Sequence, residues 1–315
     1  MEKAVARSCV RFSRFERHLG TAQSEGQPQL TAGDAKRRER WVWRAKVFIG
    51  VLMSATSTSS AEVAIPKPIR WLLNGPGVAA IASDAEASRL LDNTYPFVMT
   101  GSNVDAIPPR WHAVPFASFT SFRSMTSAFE RGALPRDIKG IMYDNEAWRF
   151  TPEEEQKDPA RYESFAADLV HPRGLLFLTA PAVDLVTVLA PRSDERRYDS
   201  YLKLGIATIA ARYADVFVIQ AQGSERNIRV YTDFVGQAAA QARSANPNVI
   251  VLAGISTNPS GQRVTADHIL GAIAATRDSV DGYWFNIPQP SDYCPRCSEF
   301  RPDIATEVLR RLGAS

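Results

Sequence analysis

From residue 69 onward, eight short apolar runs alternate with longer stretches of helical pattern, and this alternation leaves the chain few folds to choose from. The runs occupy 69–74, 97–100, 112–118, 138–144, 175–180, 216–220, 249–255 and 282–287. Most are continuously apolar, as strands covered on both faces should be. Helical patterns fall between them at 78–92, 120–131, 152–171, 195–213, 226–245, 266–279 and 302–313. Only the connection 101–111 lacks one, and Pro108-Pro109 marks it as a loop. Eight strands and seven helices in about 245 residues predict an α/β fold, a single-domain (β/α)8 TIM barrel over 65–315. An open doubly wound sheet would need a phosphate loop after its first strand. Here Gly75-Pro-Gly77 loses a backbone donor at Pro76 and has no third glycine, so it reads as a turn.

Local signals set several expected boundaries. Thr151-Pro-Glu-Glu154 has the form of a capping box, with Thr151 at the N-cap and Pro152 opening the helix. Gly174 stands where that helix should stop. Thr265 is placed to cap the helix before the eighth strand, and Asn246-Pro247 closes the one before the seventh.

Charge is unevenly spread along the 315 residues. The first sixty hold 11 Lys/Arg against 5 Asp/Glu, while the remainder holds 26 against 29. The body is therefore not a nucleic-acid binder by composition. Residues 1–64 read as a disordered leader with a signal-like segment. Arg44-Ala-Lys46 precedes the apolar run 47–53, and small residues follow, with Ser59-x-Ala61 fitting a cleavage site. The run is too short for a stable membrane span. A secreted or extracytoplasmic location is expected, the alternative being a cytoplasmic protein with a disordered leader. Cys294-Pro-Arg-Cys297 is the one cysteine pair in the body, and in an exported protein it reads as a local disulfide. No Cys or His nearby completes a zinc set, the four histidines have no ligand spacing, and neither a metal nor a cofactor is expected.

Chemistry is expected at the C-terminal strand ends. They carry Asn74, Asp144, Glu146, Gln220, Gln222, Trp284 and Asn286. Amides of this kind suit a polyhydroxylated ligand, so the expected partner is a carbohydrate or another small polar molecule. Tyr143, Trp148, Tyr283 and Trp284 are the type that stacks on sugar rings. Tyr143 counts among the candidate binding residues although strand alternation points it toward the helices. Asp144 and Glu146 form the one carboxylate cluster at a strand end and share a strand face, with Cα atoms about 7 Å apart. One charge beside another raises a pKa, so Asp144 suits a partner that keeps Glu146 protonated as a general acid. The other loop acids, Asp184 and Glu225 among them, read as helix-start residues, and the run Glu153-Glu-Glu155 as acids at a helix N-terminus.

The stretch Lys139-Gly-Ile-Met-Tyr-Asp-Asn-Glu146 resembles the fourth-strand signature D-G-x-D-x-D-x-E of family-18 glycoside hydrolases, the chitinases and their relatives. Gly140, Asp144 and Glu146 match, while Lys139 and Met142 stand where that family has its first two aspartates. Trp284 on the last strand is also similar to the family. The resemblance implies Glu146 as the catalytic acid, with Asp144 as its partner and the orienter of a substrate acetamido group. Two alternatives stay open: a non-catalytic, lectin-like barrel, and a barrel enzyme doing acid/base chemistry on another small molecule.

Overall fold

The computed structural model describes residues 68–99, 107–297 and 299–314; the expected leader and its signal-like segment lie outside the described residues. Eight parallel strands close into a barrel in sequence order, β1 (Arg70–Asn74), β2 (Phe97–Met99), β3 (Val114–Phe119), β4 (Gly140–Tyr143), β5 (Leu176–Thr179), β6 (Val216–Ile219), β7 (Ile250–Ser256) and β8 (Gly282–Asn286). The expected (β/α)8 architecture is thus present.

Most helices are shorter than their periodicity suggests, while the last keeps its expected bounds. They are α1 (Gly75–Ser83), α2 (Ala85–Arg89), α3 (Phe122–Glu130), α4 (Glu153–Lys157), α5 (Pro159–Val170), α6 (Val186–Leu189), α7 (Arg197–Lys203), α8 (Ile206–Ala211), α9 (Ile228–Ala245), α10 (Ala266–Thr276) and α11 (Pro302–Gly313). Three expected helices are each broken in two, and each break has a local cause. Asp84 accepts from the amides of Glu86 and Ala87 and so starts a new helix after α1. Asp158 caps α5 through the Arg161 amide, with Pro159 at its first position. Gly205 takes φ 65°, a left-handed turn that ends α7 and that glycine adopts without strain. Thr265 does cap α10, in a capping box completed by His268. Asn246 ends α9, and Gly174 (φ 69°) ends the short 3-10 turn that prolongs α5.

Thr151 is a correction. The N-cap of α4 is Pro152. The Thr151 hydroxyl instead donates to the Thr120 carbonyl at 2.6 Å and accepts from Trp148 Nε1 at 2.9 Å. Glu155 lies in the first turn of α4, as expected, and has a further role. It reaches from α4 to the start of α3, accepting from the amides of Phe122 and Arg123 at 2.6 and 3.1 Å. Its carboxylate thus caps a neighbouring helix.

The core has two parts, which strand alternation separates. Leu72, Phe97, Phe116, Met142, Leu178, Val218, Leu252 and Trp284 fill the barrel. Trp71, Val98, Ile141, Tyr143, Phe177, Phe217, Val251 and Phe285 point outward and pack under the helices. Gly140 leaves the room that Phe116 needs, since a Cβ there would lie 2.3 Å from the phenylalanine ring. The barrel interior is therefore packed rather than hollow, as expected of this architecture.

Candidate functional site

A cavity of about 1430 Å³ opens at the C-terminal ends of the strands. Asn74, Asp144, Glu146, Trp148, Gln220, Gln222, Trp284 and Asn286 line it, so nearly all the expected strand-end residues come together. The exception is Tyr143, the other correction to the candidate set. It is fully buried under the helices, where its hydroxyl donates to Glu155 Oε2 at 2.9 Å. Alternation forces this outcome, because β4 turns Met142 and Asp144 inward and must turn Tyr143 out.

Beyond the end of β4 the chain keeps alternating. Asn145 is buried on the helix side and donates to the Glu155 carbonyl at 3.2 Å. Asp144 and Glu146 face the cavity. The backbone around them is fixed: the Asp144 amide donates to the Phe119 carbonyl at 2.9 Å, and the Ala182 amide to the Asn145 carbonyl at 2.9 Å. Gln220, just past β6, joins the two acids. Its Nε2 lies 2.8 Å from Asp144 Oδ1, 3.3 Å from Glu146 Oε1 and 2.7 Å from the Ala180 carbonyl. An amide nitrogen has two protons to offer three acceptors, so the two carboxyls compete for the bond.

A third carboxylate sits beside the pair, and its place was not legible in the sequence. Asp184 lies in a 3-10 turn after β5, lines the same cavity, and accepts from the Ala147 amide at 3.0 Å. Burial pushes the Asp144 carboxyl up to about 7, helped by the Asp184 charge and opposed by the Gln220 bond. Burial first, then the charges of Asp144 and Asp184, hold Glu146 well above the ordinary carboxylate range. Two groups in one cavity are thus placed to keep a proton near neutral pH.

The remaining candidates differ in how free they are. Asn74 is committed to the fold, because its side chain donates to the Ile287 carbonyl and accepts from the Ile287 amide, tying β1 to the end of β8. Gln222 lies across β7 over Gly254, where a Cβ would come within 2.4 Å of it. Trp284 is only 6% exposed, and its Nε1 has no partner although it lines the cavity. A buried indole N–H without a partner is unusual. Cys294 and Cys297 form the expected disulfide, with Cα atoms 5.3 Å apart, in the loop after β8. That loop brings Tyr293 against Phe150 (ring centroids 4.7 Å apart) and Trp148 (5.9 Å), an aromatic wall on one side of the mouth. Among the described residues no group of three or more His, Cys, Asp or Glu side chains is arranged to hold a metal ion. None of the described helices is long and apolar enough to cross a membrane.

No protein-family model matches the sequence, and no curated protein matches it. Solved structures do superpose on the barrel. The spore cortex-lytic enzyme SleL of Bacillus megaterium has a TM-score of 0.43 at 9% identity, covering 78% of this chain and 75% of that one. The glycoside hydrolase domain of PgaB (BpsB) from Bordetella bronchiseptica has 0.40 at 8%, covering 78% and 99%. Triosephosphate isomerase from Bartonella henselae has 0.38 at 11%, covering 70% and 92%. Glycoside hydrolases thus stand beside an isomerase, and likeness of this degree carries no argument about chemistry.

Proposed function

We propose that the barrel binds a carbohydrate at its mouth and cleaves a glycosidic bond, with Glu146 as the general acid and Asp144 as its partner. The observation that carries this reading is the carboxyl pair itself. Both acids reach into an open cavity, lean on one Gln220 nitrogen, and have raised pKa values. A general acid must hold its proton at working pH and lie within reach of the leaving oxygen. Glu146 is raised by burial and by the charges of Asp144 and Asp184, which meets the first condition.

Asp144 and Glu146 come from the same strand end and share one donor, so they do not flank a sugar from opposite faces. That geometry suits cleavage in which the substrate supplies its own nucleophile. Asp144 would then orient the substrate group that attacks. Trp284, whose N–H is unpartnered among the described residues, and the side-chain amides of Gln222 and Asn286 would bind the sugar. The test is Glu146→Gln, assayed on oligosaccharides by product release and by calorimetric binding. Turnover should fall by about 10²–10⁴-fold while binding and thermal stability stay near wild type. Wild-type rates in the variant would remove Glu146 from the mechanism.

A second reading has its own observation. Met142 fills the barrel interior where the resembled family has an aspartate, so no acid lies behind Asp144 on β4. A lectin-like barrel would bind the same oligosaccharides and release no product, even before mutation.

A further inference from the structure

Four arginines, Arg196, Arg197, Arg229 and Arg296, line the same cavity as the acid pair. They come from three separate connections, after β5, β6 and β8, with Arg197 opening α7 and Arg229 in the first turn of α9. Two are already neutralised. Arg196 is gripped by Asp199, at 2.7 Å from Nε and 3.2 Å from Nη2. Arg229 lies 3.8 Å from Asp233. Arg197 and Arg296 have no ion pair or hydrogen bond from their guanidinium groups among the described residues, and both are exposed. Asp144, Glu146, Asp184, Asp199 and Asp233 line the cavity beside these arginines, so Arg197 and Arg296 are the cations in it that no carboxylate side chain matches.

Arg296 is also held by a rigid support. It sits between the bonded Cys294 and Cys297. Cys297 is buried and its sulfur lies 3.5 Å from the Asn258 carbonyl. Gly261, at φ 83°, lets the Arg296 carbonyl approach so closely that a Cβ would lie 2.3 Å from it. A turn tied in this way fixes the backbone from which the Arg296 side chain projects.

We propose that the cavity takes an anionic glycan, with Arg197 and Arg296 engaging carboxylate or sulfate groups on the sugars beyond the bond that Glu146 attacks. The proposal rests on the glycosidase reading above and narrows its substrate class. Guanidinium groups pair bidentately with carboxylate and sulfate oxygens, and a partner-free pair of them disfavours a purely neutral chain. On the glycosidase reading Glu146 is protonated in its catalytic form, and the charges of Asp199 and Asp233 are matched by Arg196 and Arg229, which leaves the Asp184 charge as the one that Arg197 and Arg296 must outweigh.

The test uses the full-length Glu146→Gln protein and three N-acetylated hexasaccharides: hyaluronan (carboxylate), keratan sulfate (sulfate ester) and chitohexaose (neutral). Calorimetry should show at least tenfold tighter binding of one or both acidic probes than of chitohexaose. That preference should shrink when salt is raised from 50 to 500 mM. Adding Arg197→Gln and Arg296→Gln should weaken the acidic probe at least tenfold and leave chitohexaose unchanged. Binding confined to the hyaluronan or to the keratan sulfate arm identifies which anion is read. Equal or tighter binding of chitohexaose overturns this inference and leaves the glycosidase reading standing. So does an acidic affinity that the two arginine substitutions do not change. Binding of none of the three, with no turnover by the wild type, overturns both.

Discussion

Glu163 offers a stability prediction that can be worked through from its surroundings. It lies on α5, fully buried behind β5, and accepts from the Thr179 hydroxyl at 2.7 Å through Oε1. Its Oε2 has no partner. Burial pushes its carboxyl up to about 8, from an ordinary value of 4.5. Between those two values the folded protein keeps a proton that the unfolded chain has released. Stability therefore falls as pH rises from about 4.5 to 8, by about 1.4 kcal/mol per unit, and levels off above. Over that span the loss is on the order of 5 kcal/mol, an upper figure because the surroundings relax around the charge. Glu163→Gln keeps the shape and the acceptor for Thr179 but removes the ionisation, at the cost of leaving an amide N–H₂ where Oε2 stood. That cost is about 1–3 kcal/mol and does not depend on pH. Urea unfolding of both proteins at pH 5, 7 and 9 isolates the effect, because Asp144 and Glu225 titrate alike in each. The variant should be slightly less stable at pH 5 and clearly more stable than wild type at pH 9. A stability difference that stays constant across the three pH values would refute the reasoning.

Two further substitutions probe the site. Asp184→Asn keeps an oxygen for the Ala147 amide and deletes a charge that raises both Asp144 and Glu146. The alkaline limb of the pH–rate profile should move to lower pH, whereas an unmoved limb would mean that Asp184 only shapes the loop. Gly254→Ala puts a methyl where Gln222 lies, and the end of that flexible side chain can swing away. Thermal stability should change little while saccharide affinity drops about tenfold, and unchanged affinity in calorimetry would remove Gln222 from the binding set.

The barrel could be read from the sequence because strands buried on both faces are continuously apolar, a pattern that depends only on neighbouring residues. Helix lengths were less legible. The periodic stretches at 78–92, 152–171 and 195–213 run through Asp84, Asp158-Pro159 and Gly205 without interruption, yet each break is decided by a cap or a turn. Asp144 and Glu146 stood out as two acids closing an apolar strand. Asp184 did not, since its approach to Ala147 depends on how the turn after β5 packs against the loop after β4. Thr151 and Glu155 carried correct local signals for roles that tertiary contacts override. The Thr151 hydroxyl is drawn to Thr120, and the Glu155 carboxylate to the start of α3. Burial of Glu163 and Glu225 left no mark on the pattern, because a single acid on a helical or loop face ordinarily means solvent.

The departures at positions 139 and 142 bear on how the acid pair is tuned. Lys139 is exposed, and Met142 lies inside the barrel with Ser118 and Leu178 as its register partners. An aspartate at 142 would sit below the mouth among the apolar side chains that fill the barrel, and burying that charge would be costly. With methionine there, the interior stays apolar up to Asp144, and the burial of Asp144 is itself the largest contribution to its raised pKa. The polar partners come instead from neighbouring strands, Gln220 after β6 and Asp184 after β5. On the proposed mechanism the pair is therefore tuned across the barrel mouth rather than along its own strand. That arrangement needs no acid at 139 or 142, so their loss does not by itself argue against turnover. It makes activity depend on Asp184 and Gln220, two residues that the fourth-strand motif does not contain.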